Sequence, residues 1–181
     1  VSDAASYGYD VATVSSWYTN EGSGVADIGR LTWNTEYVFA IFGVGADGTR
    51  STDVILKEFT TLTPQQSSNE FTITINSFTK SSVNFTVTPT NNDQYYVTVE
   101  KAGTVSGYGP DQDKSYDDLI DYLLPEYENQ LSQRLFSGEQ TINNSDLGKS
   151  VNGFSDFVVV VWGYNNGPTT TVFMSEAFRP A

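Results

Sequence analysis

Acidic and hydroxyl side chains alternate along residues 111–118, a spacing that could bind calcium. The four candidate ligands are Asp111, Asp113, Ser115 and Asp117. Ca²⁺ prefers oxygen ligands, and calcium loops supply them from alternate positions. The later positions depart from such a loop, because Tyr116 stands where glycine is expected and Tyr122 where glutamate is expected. An acidic helix N-terminus explains the same residues. Calcium is therefore an alternative, and the sequence indicates no other cofactor.

A second group of carboxylates has the residue types of a glycoside hydrolase acid pair. It comprises Asp117, Asp118, Asp121, Glu126 and Glu128. Such a pair must face one cleft, with its carboxyl groups about 5 to 9.5 Å apart. Because these residues recur at helical spacing, a solvated helix face explains them more simply. The sequence therefore predicts a protein that is not an enzyme, and a catalytic or accessory hydrolase role is the least favoured alternative.

Aromatic residues in predicted turns have the ring surfaces that stack on sugars. The best candidates for ligand contact are Trp17, Tyr18, Tyr108 and Tyr116, and Tyr7 and Tyr9 lie in similar positions. Neighbouring Asp, Asn and Gln oxygens would accept hydrogen bonds from sugar hydroxyls. Local packing of the rings is the alternative, since aromatic side chains bury large areas. These residues keep a glycan-binding function open.

Composition narrows the classes of partner. The 181 residues include 22 acidic and nine basic side chains, which give a net charge of −13. This charge argues against nucleic acid, whose phosphates require clustered Lys or Arg, and against an anionic membrane surface. The chain contains neither Cys nor His, which excludes thiolate and imidazole chemistry. It also contains no apolar stretch long enough to insert into a membrane. We expect a protein or a polysaccharide as partner.

Alternating side chains predict an all-β fold. Apolar residues alternate with polar ones at Phe71, Ile73 and Ile75, and again at Val83, Phe85 and Val87. This period of two places one face of a strand on a core. Further strands are predicted at 95–99, 157–164 and 171–178. The unbroken apolar run at 157–162 indicates a central strand that is covered on both faces.

Residues 115–136 are the exception to strand character. Ser115 and Asp118 have capping-box spacing, and apolar residues follow at helical intervals: Leu119, Ile120, Leu123 and Leu124. Pro125 fits the first turn of a second helix, in which Tyr127, Leu131 and Leu135 share a stripe. We expect two short helices, inserted into the second sandwich, that cover its central strand.

An internal repeat determines the predicted domain organisation. Residues 31–43 align with residues 151–163 at a constant offset of 120, so that Thr35, Glu36, Tyr37, Phe42 and Gly43 match Ser155, Asp156, Phe157, Trp162 and Gly163. Downstream, Gly48 matches Gly167, and Glu58-Phe59 resembles Glu176-Ala-Phe178 once about one residue is dropped from the intervening turn. Each copy is therefore predicted to end in a β-hairpin.

A polar stretch containing Pro64 separates the two copies. We predict a first module at 1–63, a linker at 64–70 and a second module at 71–181. Upstream of Leu31 the first module has one clear predicted strand, residues 7–14, so it lacks the opening strands of the second copy. Either those strands precede Val1 in a longer protein, or a strand from a partner completes the module.

One segment carries a family resemblance. Leu31-x-x-x-Thr35-x-Tyr37 resembles the L-x-P-x-T-x-Y segment that leads into the sixth strand of fibronectin type III domains, with Trp33 where the family usually has proline. The following turn and the closing Glu58-Phe-Thr-Thr61 resemble such modules in Bacteroidetes-type cell-surface lipoproteins. The resemblance covers residues 31–61 well and residues 71–181 more loosely.

The resemblance implies two immunoglobulin/fibronectin-III-like β-sandwiches, the second with the helical insertion. It implies structural roles for Leu31, Tyr37, Phe157 and Trp162. The family tyrosine lies in the core, and its hydroxyl caps a backbone group, so Tyr37 should do the same. Phe157 has no hydroxyl, and the second module must close this corner differently.

The resemblance also implies a function for the chain. We expect a non-catalytic spacer or binding module, extracellular or on the outer-membrane surface, that mediates protein interaction or adhesion. Its anchor would lie in a region outside this chain. The alternative is a glycan-binding module of a polysaccharide-utilisation system.

Overall fold

A computed structural model describes residues 22, 31–45, 49–125 and 127–181 of the protein. The chain divides into two units, Val1–Leu62 and Thr63–Ala181. Within the described residues, strands outweigh short helices, which confirms the predicted β-rich fold class. None of the described helices has the length and apolar character needed to cross a membrane.

The described part of the first unit is one antiparallel hairpin. Strand β1 (Glu36–Ile41) pairs with β2 (Ile55–Thr60), so that Tyr37 lies opposite Phe59. The two rings stack with their centroids 5.8 Å apart. The predicted strand at residues 7–14 lies outside the described residues.

Tyr37 makes the kind of backbone contact that the sequence predicts. Its hydroxyl oxygen accepts a hydrogen bond from the backbone amide of Thr32 at 2.8 Å. The ring is half-buried rather than enclosed in a core, and Leu31 is half-buried as well. The bond fixes the chain just before β1 relative to the strand itself.

Seven strands form two antiparallel sheets in the second unit. They are β3 (Phe71–Thr79), β4 (Ser82–Pro89), β5 (Tyr95–Lys101), β6 (Leu135–Phe136), β7 (Gln140–Asn143), β8 (Phe157–Gly163) and β9 (Phe173–Met174). One sheet has the order β3-β4-β7 and the other β6-β5-β8-β9. The alternating residues of β3 and β4 lie opposite each other in register, with an irregularity between Ile75 and Ser77.

The core of the second unit lies between these sheets. Val83, Phe85 and Val87 of β4 form one buried cluster with side chains of β5 and β8: Tyr95, Val97, Val99, Phe157, Val159 and Val161. Every second residue of each strand joins this cluster, as the period of two requires. The unit is therefore a β-sandwich with one apolar interior.

The outer face of β5 and β8 is covered too. Trp162 stacks on Tyr96 with ring centroids 4.3 Å apart, and both side chains are fully buried. The Tyr96 hydroxyl donates a hydrogen bond to the Leu123 carbonyl at 3.1 Å, at the end of the helix Tyr116–Leu123. The apolar run at 157–162 is thus buried on both faces, and the end of this helix contacts the outer face through Tyr96.

Three short α-helices are present among the described residues: α1 (Ala102–Val105), α2 (Tyr116–Leu123) and α3 (Glu128–Ser132). A 3-10 helix, Asn144–Leu147, follows β7. Helix α1 is absent from the sequence prediction. Pro125 precedes α3 rather than lying in its first turn, and Leu124 before it is extended, as a residue before proline tends to be. Leu135 belongs to β6 rather than to a helix.

The ends of β1 and β8 have the same local geometry. The Gly43 amide donates to Thr52 Oγ1 at 2.7 Å, and the Gly163 amide donates to Thr170 Oγ1 at 2.8 Å. In each copy the glycine carbonyl accepts from the amide of the residue before that threonine, at 2.8 Å. A Cβ at Gly43 would lie 2.9 Å from Thr52 Cγ2, and one at Gly163 would lie 2.8 Å from Thr170 Cγ2. A side chain at either position would therefore have to displace the neighbouring threonine.

Backbone pairing and an ion pair join the start of β8 to the chain terminus. Phe157 and Phe178 exchange two backbone hydrogen bonds, of 2.8 and 2.9 Å. Beside them Arg179 forms a bidentate ion pair with Asp156, at 2.7 and 2.9 Å. In the first copy the equivalent residues, Tyr37 and Phe59, also lie opposite each other in the backbone pairing.

The predicted linker at 64–70 includes residues that are held by the second unit. The Ser67 amide donates to the Thr169 carbonyl at 2.7 Å. Asn69 is 2% exposed, and its side-chain oxygen accepts bonds from the amides of Thr90 and Asn91 at 3.0 and 3.1 Å. Asparagine often satisfies the backbone of a turn in this way. At least residues 67–69 are therefore part of the sandwich.

Candidate functional site

The structure describes only some of the predicted ligand-contact residues. Trp17 and Tyr18, together with Tyr7 and Tyr9, lie outside the described residues. Tyr108 and Tyr116 are both half-buried. Both of these residues belong to the second unit.

Tyr108 packs against its own loop. Its ring lies 6.2 Å from the ring of Tyr122 in a stacked arrangement, and Lys114 Nζ lies 5.2 Å from the Tyr108 centroid. Tyr116 lies beside Gly109, where a Cβ would be 3.7 Å from the tyrosine ring. These contacts favour local packing for Tyr108 and Tyr116 over a free sugar-stacking surface. Tyr122, which is 63% exposed, is the most open ring of the group.

The acidic segment before α2 caps that helix. Ser115 Oγ accepts from the Asp118 amide at 3.1 Å, while Asp118 Oδ2 accepts from the Ser115 amide and hydroxyl, both at 2.7 Å. These hydrogen bonds hold the pKa of the Asp118 carboxyl below its usual value. The capping box predicted from the sequence is thus present.

The calcium candidates Asp111, Asp113, Ser115 and Asp117 are not gathered into one site. Within the described part of the chain, no three carboxylates lie close enough together to hold a metal ion. The hydroxyl of Ser115 is already bonded to Asp118. The geometry favours the helix N-terminus over a calcium loop.

The carboxylates considered for hydrolysis belong to the same helical region. Asp117, Asp118 and Asp121 are exposed on α2. Glu126 lies outside the described residues, as does the side chain of Glu128. These three aspartates line neither the depression beside Lys101–Thr104 nor the one beside Gln65–Ser67.

A buried polar cluster near β6 is structural. Arg134 Nε donates to the Leu147 carbonyl at 3.0 Å, and Nη1 donates to the Tyr96 hydroxyl at 3.0 Å. Burial raises the pKa of Tyr96, although the hydrogen bond from Arg134 acts in the opposite direction. The phenol is neutral at physiological pH and links β5 to α2 and to Arg134.

A surface depression lies at one end of the sandwich. We name it the loop-end groove; it is lined by Gln65, Gln66, Ser67, Asp93, Gln94, Tyr164, Asn165 and Thr169. Its volume is about 500 Å³, within the range of sites that hold small ligands. A smaller depression of about 290 Å³ lies beside α1, next to the Asp156 ion pair.

Three chain segments meet at the loop-end groove and are bonded to one another. The Tyr164 amide donates to the Gln94 carbonyl at 2.9 Å, which joins the loop after β8 to the loop before β5. Ser67 Oγ donates to Asp93 Oδ2 at 2.6 Å, and the Ser67 amide donates to the Thr169 carbonyl. The groove is thus formed by loops on a rigid sandwich, where binding residues commonly lie.

The loop after β8 depends on two left-handed backbone positions. Asn166 has φ of 52° and Gly167 has φ of 147°. A Cβ at Gly167 would lie 2.5 Å from Pro64 Cγ, so the loop packs closely on the segment that begins the second unit. The Asn165 amide donates to the Gly167 carbonyl at 2.9 Å, which closes the turn.

Sequence analysis missed the loop-end groove because its parts are distant along the chain. The signal was three amide-rich turn segments, at residues 65–66, 91–94 and 165–166. Turns that follow alternate strands of an antiparallel sandwich lie at the same end. This rule predicts that the three segments are neighbours. Comparison of the chain with known protein families, curated proteins and solved structures found no match.

Proposed function

We propose that the chain is a non-catalytic binding segment of a modular cell-surface protein, built from immunoglobulin/fibronectin-III-like sandwiches. It would contact its partner through the loops at one end of the second unit. The same role fits a spacer that mediates protein interaction or adhesion.

The strand order of the second unit supports the sandwich assignment. Seven antiparallel strands in two sheets, with β4 paired to β7 and β5 paired to β8, are what such a fold requires. Strands β5 and β8 are antiparallel with Tyr95 opposite Gly163, so the loops before β5 and after β8 lie at the same end. In this class of fold, loops clustered at one end of the sandwich carry the binding surface.

The paired glycine geometry supports a tandem arrangement. Gly43 and Gly163 donate to equivalent threonines with nearly equal distances, 2.7 and 2.8 Å. Unrelated hairpins would have no reason to share this side-chain contact. Two copies of one module would share it by descent.

The observation that carries the proposed function is the loop-end groove. It is lined by polar side chains from three bonded segments, and its residues Gln65, Gln94 and Asn165 are exposed. Hydrogen bonds among the three segments already fix their backbones, so binding in the groove need not order these loops.

Binding can be tested with a groove-blocking variant and a matched control. The purified chain would be screened by affinity gel electrophoresis and biolayer interferometry against purified extracellular-matrix proteins and against plant, microbial and host polysaccharides. Asn165→Arg places a bulky charge in the groove, while Gln133→Arg places the same group on the exposed end of α3. We expect binding to at least one member of the panel, lost in Asn165→Arg and retained in Gln133→Arg. Binding that survives Asn165→Arg, or no binding at all, would overturn the proposal.

A further inference from the structure

The chemistry of the loop-end groove indicates a ligand class. We propose that this groove binds a neutral saccharide, through amide and tyrosine side chains that differ from the aromatic candidates of the sequence. The inference rests on the binding function proposed above and specifies the ligand for the same site.

The side chains of the groove match hydroxyl groups. Gln65, Gln94 and Asn165 each carry both a hydrogen-bond acceptor and a two-proton donor. A sugar hydroxyl also donates and accepts, so amides can satisfy it in either sense. The side-chain amide nitrogen of Gln66 donates to the Pro64 carbonyl at 3.3 Å, and this hydrogen bond orients the Gln66 side chain.

The charges of the groove favour a neutral ligand over an ionic one. Asp93 is the one ionisable carboxylate among the described lining residues, and no Lys or Arg is among them. An anion would therefore meet Asp93 without a compensating cation, in a chain of net charge −13. A cation would find a single carboxylate that already accepts a hydrogen bond from Ser67 Oγ at 2.6 Å.

Size and shape suit one short oligosaccharide. The volume of about 500 Å³ is that of a small-ligand site, and the groove is open to solvent, so a longer glycan chain can extend from it. Tyr164 supplies an aromatic side chain at the groove, where a planar ring can contact the apolar face of a sugar. The hydrogen bond from the Tyr164 amide to the Gln94 carbonyl fixes the backbone that carries the Tyr164 and Gln94 side chains.

The ligand class can be tested by NMR titration of the full chain. Amide spectra would be recorded with neutral di- and trisaccharides of glucose, mannose, galactose and xylose, and with oligogalacturonates as the charged comparison. We expect at least one neutral sugar to shift resonances at residues 65–67, 93–94 and 164–169, and the charged sugars to shift them less. Shifts that map to another surface, or a preference for the charged sugars, would overturn the inference.

Two variants test the side chains. Gln94→Ala and Asn165→Ala each remove one amide and should weaken the apparent Kd of the neutral sugar about tenfold. Gln133→Ala removes an exposed amide from α3 and should leave the Kd unchanged. Because all three residues are exposed, a thermal melt should show an unchanged fold. Equal Kd values for the groove variants and the parent chain would contradict the proposed site.

The result also separates this inference from the proposed function. If no sugar shifts any resonance, but a protein of the panel binds and is lost in Asn165→Arg, the saccharide inference fails and the binding function stands. If neither experiment detects binding that depends on the groove, both fail.

Discussion

The hairpin of β1 and β2 and the hairpin of β8 and β9 share a local geometry and differ in burial. Gly43, two residues after β1, and Gly163, the last residue of β8, make equivalent hydrogen bonds to threonine hydroxyls. Every residue of β8 is buried. In β1, by contrast, Val38 is 55% exposed, whereas its counterpart Val158 is 6% exposed.

The difference comes from the neighbours of each strand. Strand β8 pairs with β5 along its whole length and also with β9, while β1 pairs with β2 alone within the part of the chain that the structure describes. The hairpin geometry therefore depends on local residues, and burial depends on elements that are distant in sequence. Substitutions at equivalent positions measure the two contributions separately.

The aromatic residues that precede the two glycines should give the largest difference. Trp162→Ala removes a fully buried ring that stacks on Tyr96, and should cost about 3 to 5 kcal/mol of unfolding free energy. Phe42→Ala removes a half-exposed ring and should cost about 1 kcal/mol. Urea unfolding, followed by hydrogen exchange in each unit, gives both values. Equal costs would mean that the two strands are covered equally in solution.

The glycines themselves should give a smaller difference. Gly163→Ala forces a Cβ against Thr170 in a buried setting and should cost about 1 to 3 kcal/mol. Gly43→Ala forces the same contact with Thr52, but that threonine is exposed and can move, so the cost should be lower. The measurement is the same unfolding series. A neutral Gly163→Ala would show that the shared geometry is not required.

The threonine hydroxyls test the shared hydrogen bond alone. Thr170→Val keeps the shape but removes the acceptor of the Gly163 amide, which should cost about 1 kcal/mol. Thr52→Val does the same for Gly43, where water can replace the lost acceptor, and should cost less. Exchange rates of the two glycine amides report the loss directly. Unchanged protection at Gly163 would contradict the proposed role of Thr170.

The ion pair between Asp156 and Arg179 should give the smallest effect and has no counterpart in the first hairpin, where Thr60 stands at the position of Arg179. The hydrogen bonds from Arg179 hold the pKa of the Asp156 carboxyl below its usual value. This pair therefore contributes stability above the ordinary carboxyl pKa, and the contribution is lost as pH falls through the lowered pKa.

Acid titration of unfolding measures that contribution. Asp156→Asn should reduce the loss of stability on acidification, and Arg179→Gln should have the same effect, with no further change in the double variant. The change should be small, because the pair is exposed and screened by salt. If both single variants lose unfolding free energy at acidic pH as the parent chain does, the ion pair does not form in solution.

The sequence predicted those strands whose side chains alternate clearly. Residues of β3, β4, β5 and β8 follow the period of two or form an apolar run, and Ser115 with Asp118 marked the start of α2. Strand β7 was missed because Ile142 is its single buried side chain, so no alternation is visible. Helix α1 was missed because its four residues are too few for helical periodicity.

The candidate site was harder to predict than the fold. Aromatic residues in turns, such as Trp17 and Tyr18, indicate a ligand-contact surface directly from the sequence. The groove is lined largely by amide side chains, which are common in any loop. Gln65, Gln94 and Asn165 come together only through the pairing of β5 with β8 and the bond from Ser67 to Thr169. Such long-range pairing leaves no local pattern in the residues that it assembles.

The bonds of Ser67 and Asn69 also determine how the second unit would respond to tension. A pulling force applied at Thr63 would reach the Ser67 amide and the Asn69 side chain before it reaches β3. Those bonds run to the loop after β8 and to the turn after β4, so the load would be shared between both sheets. In a chain that separates a ligand from a surface, these bonds would protect β3 from being peeled off the second unit. They lie only a few residues after Thr63, where that unit begins.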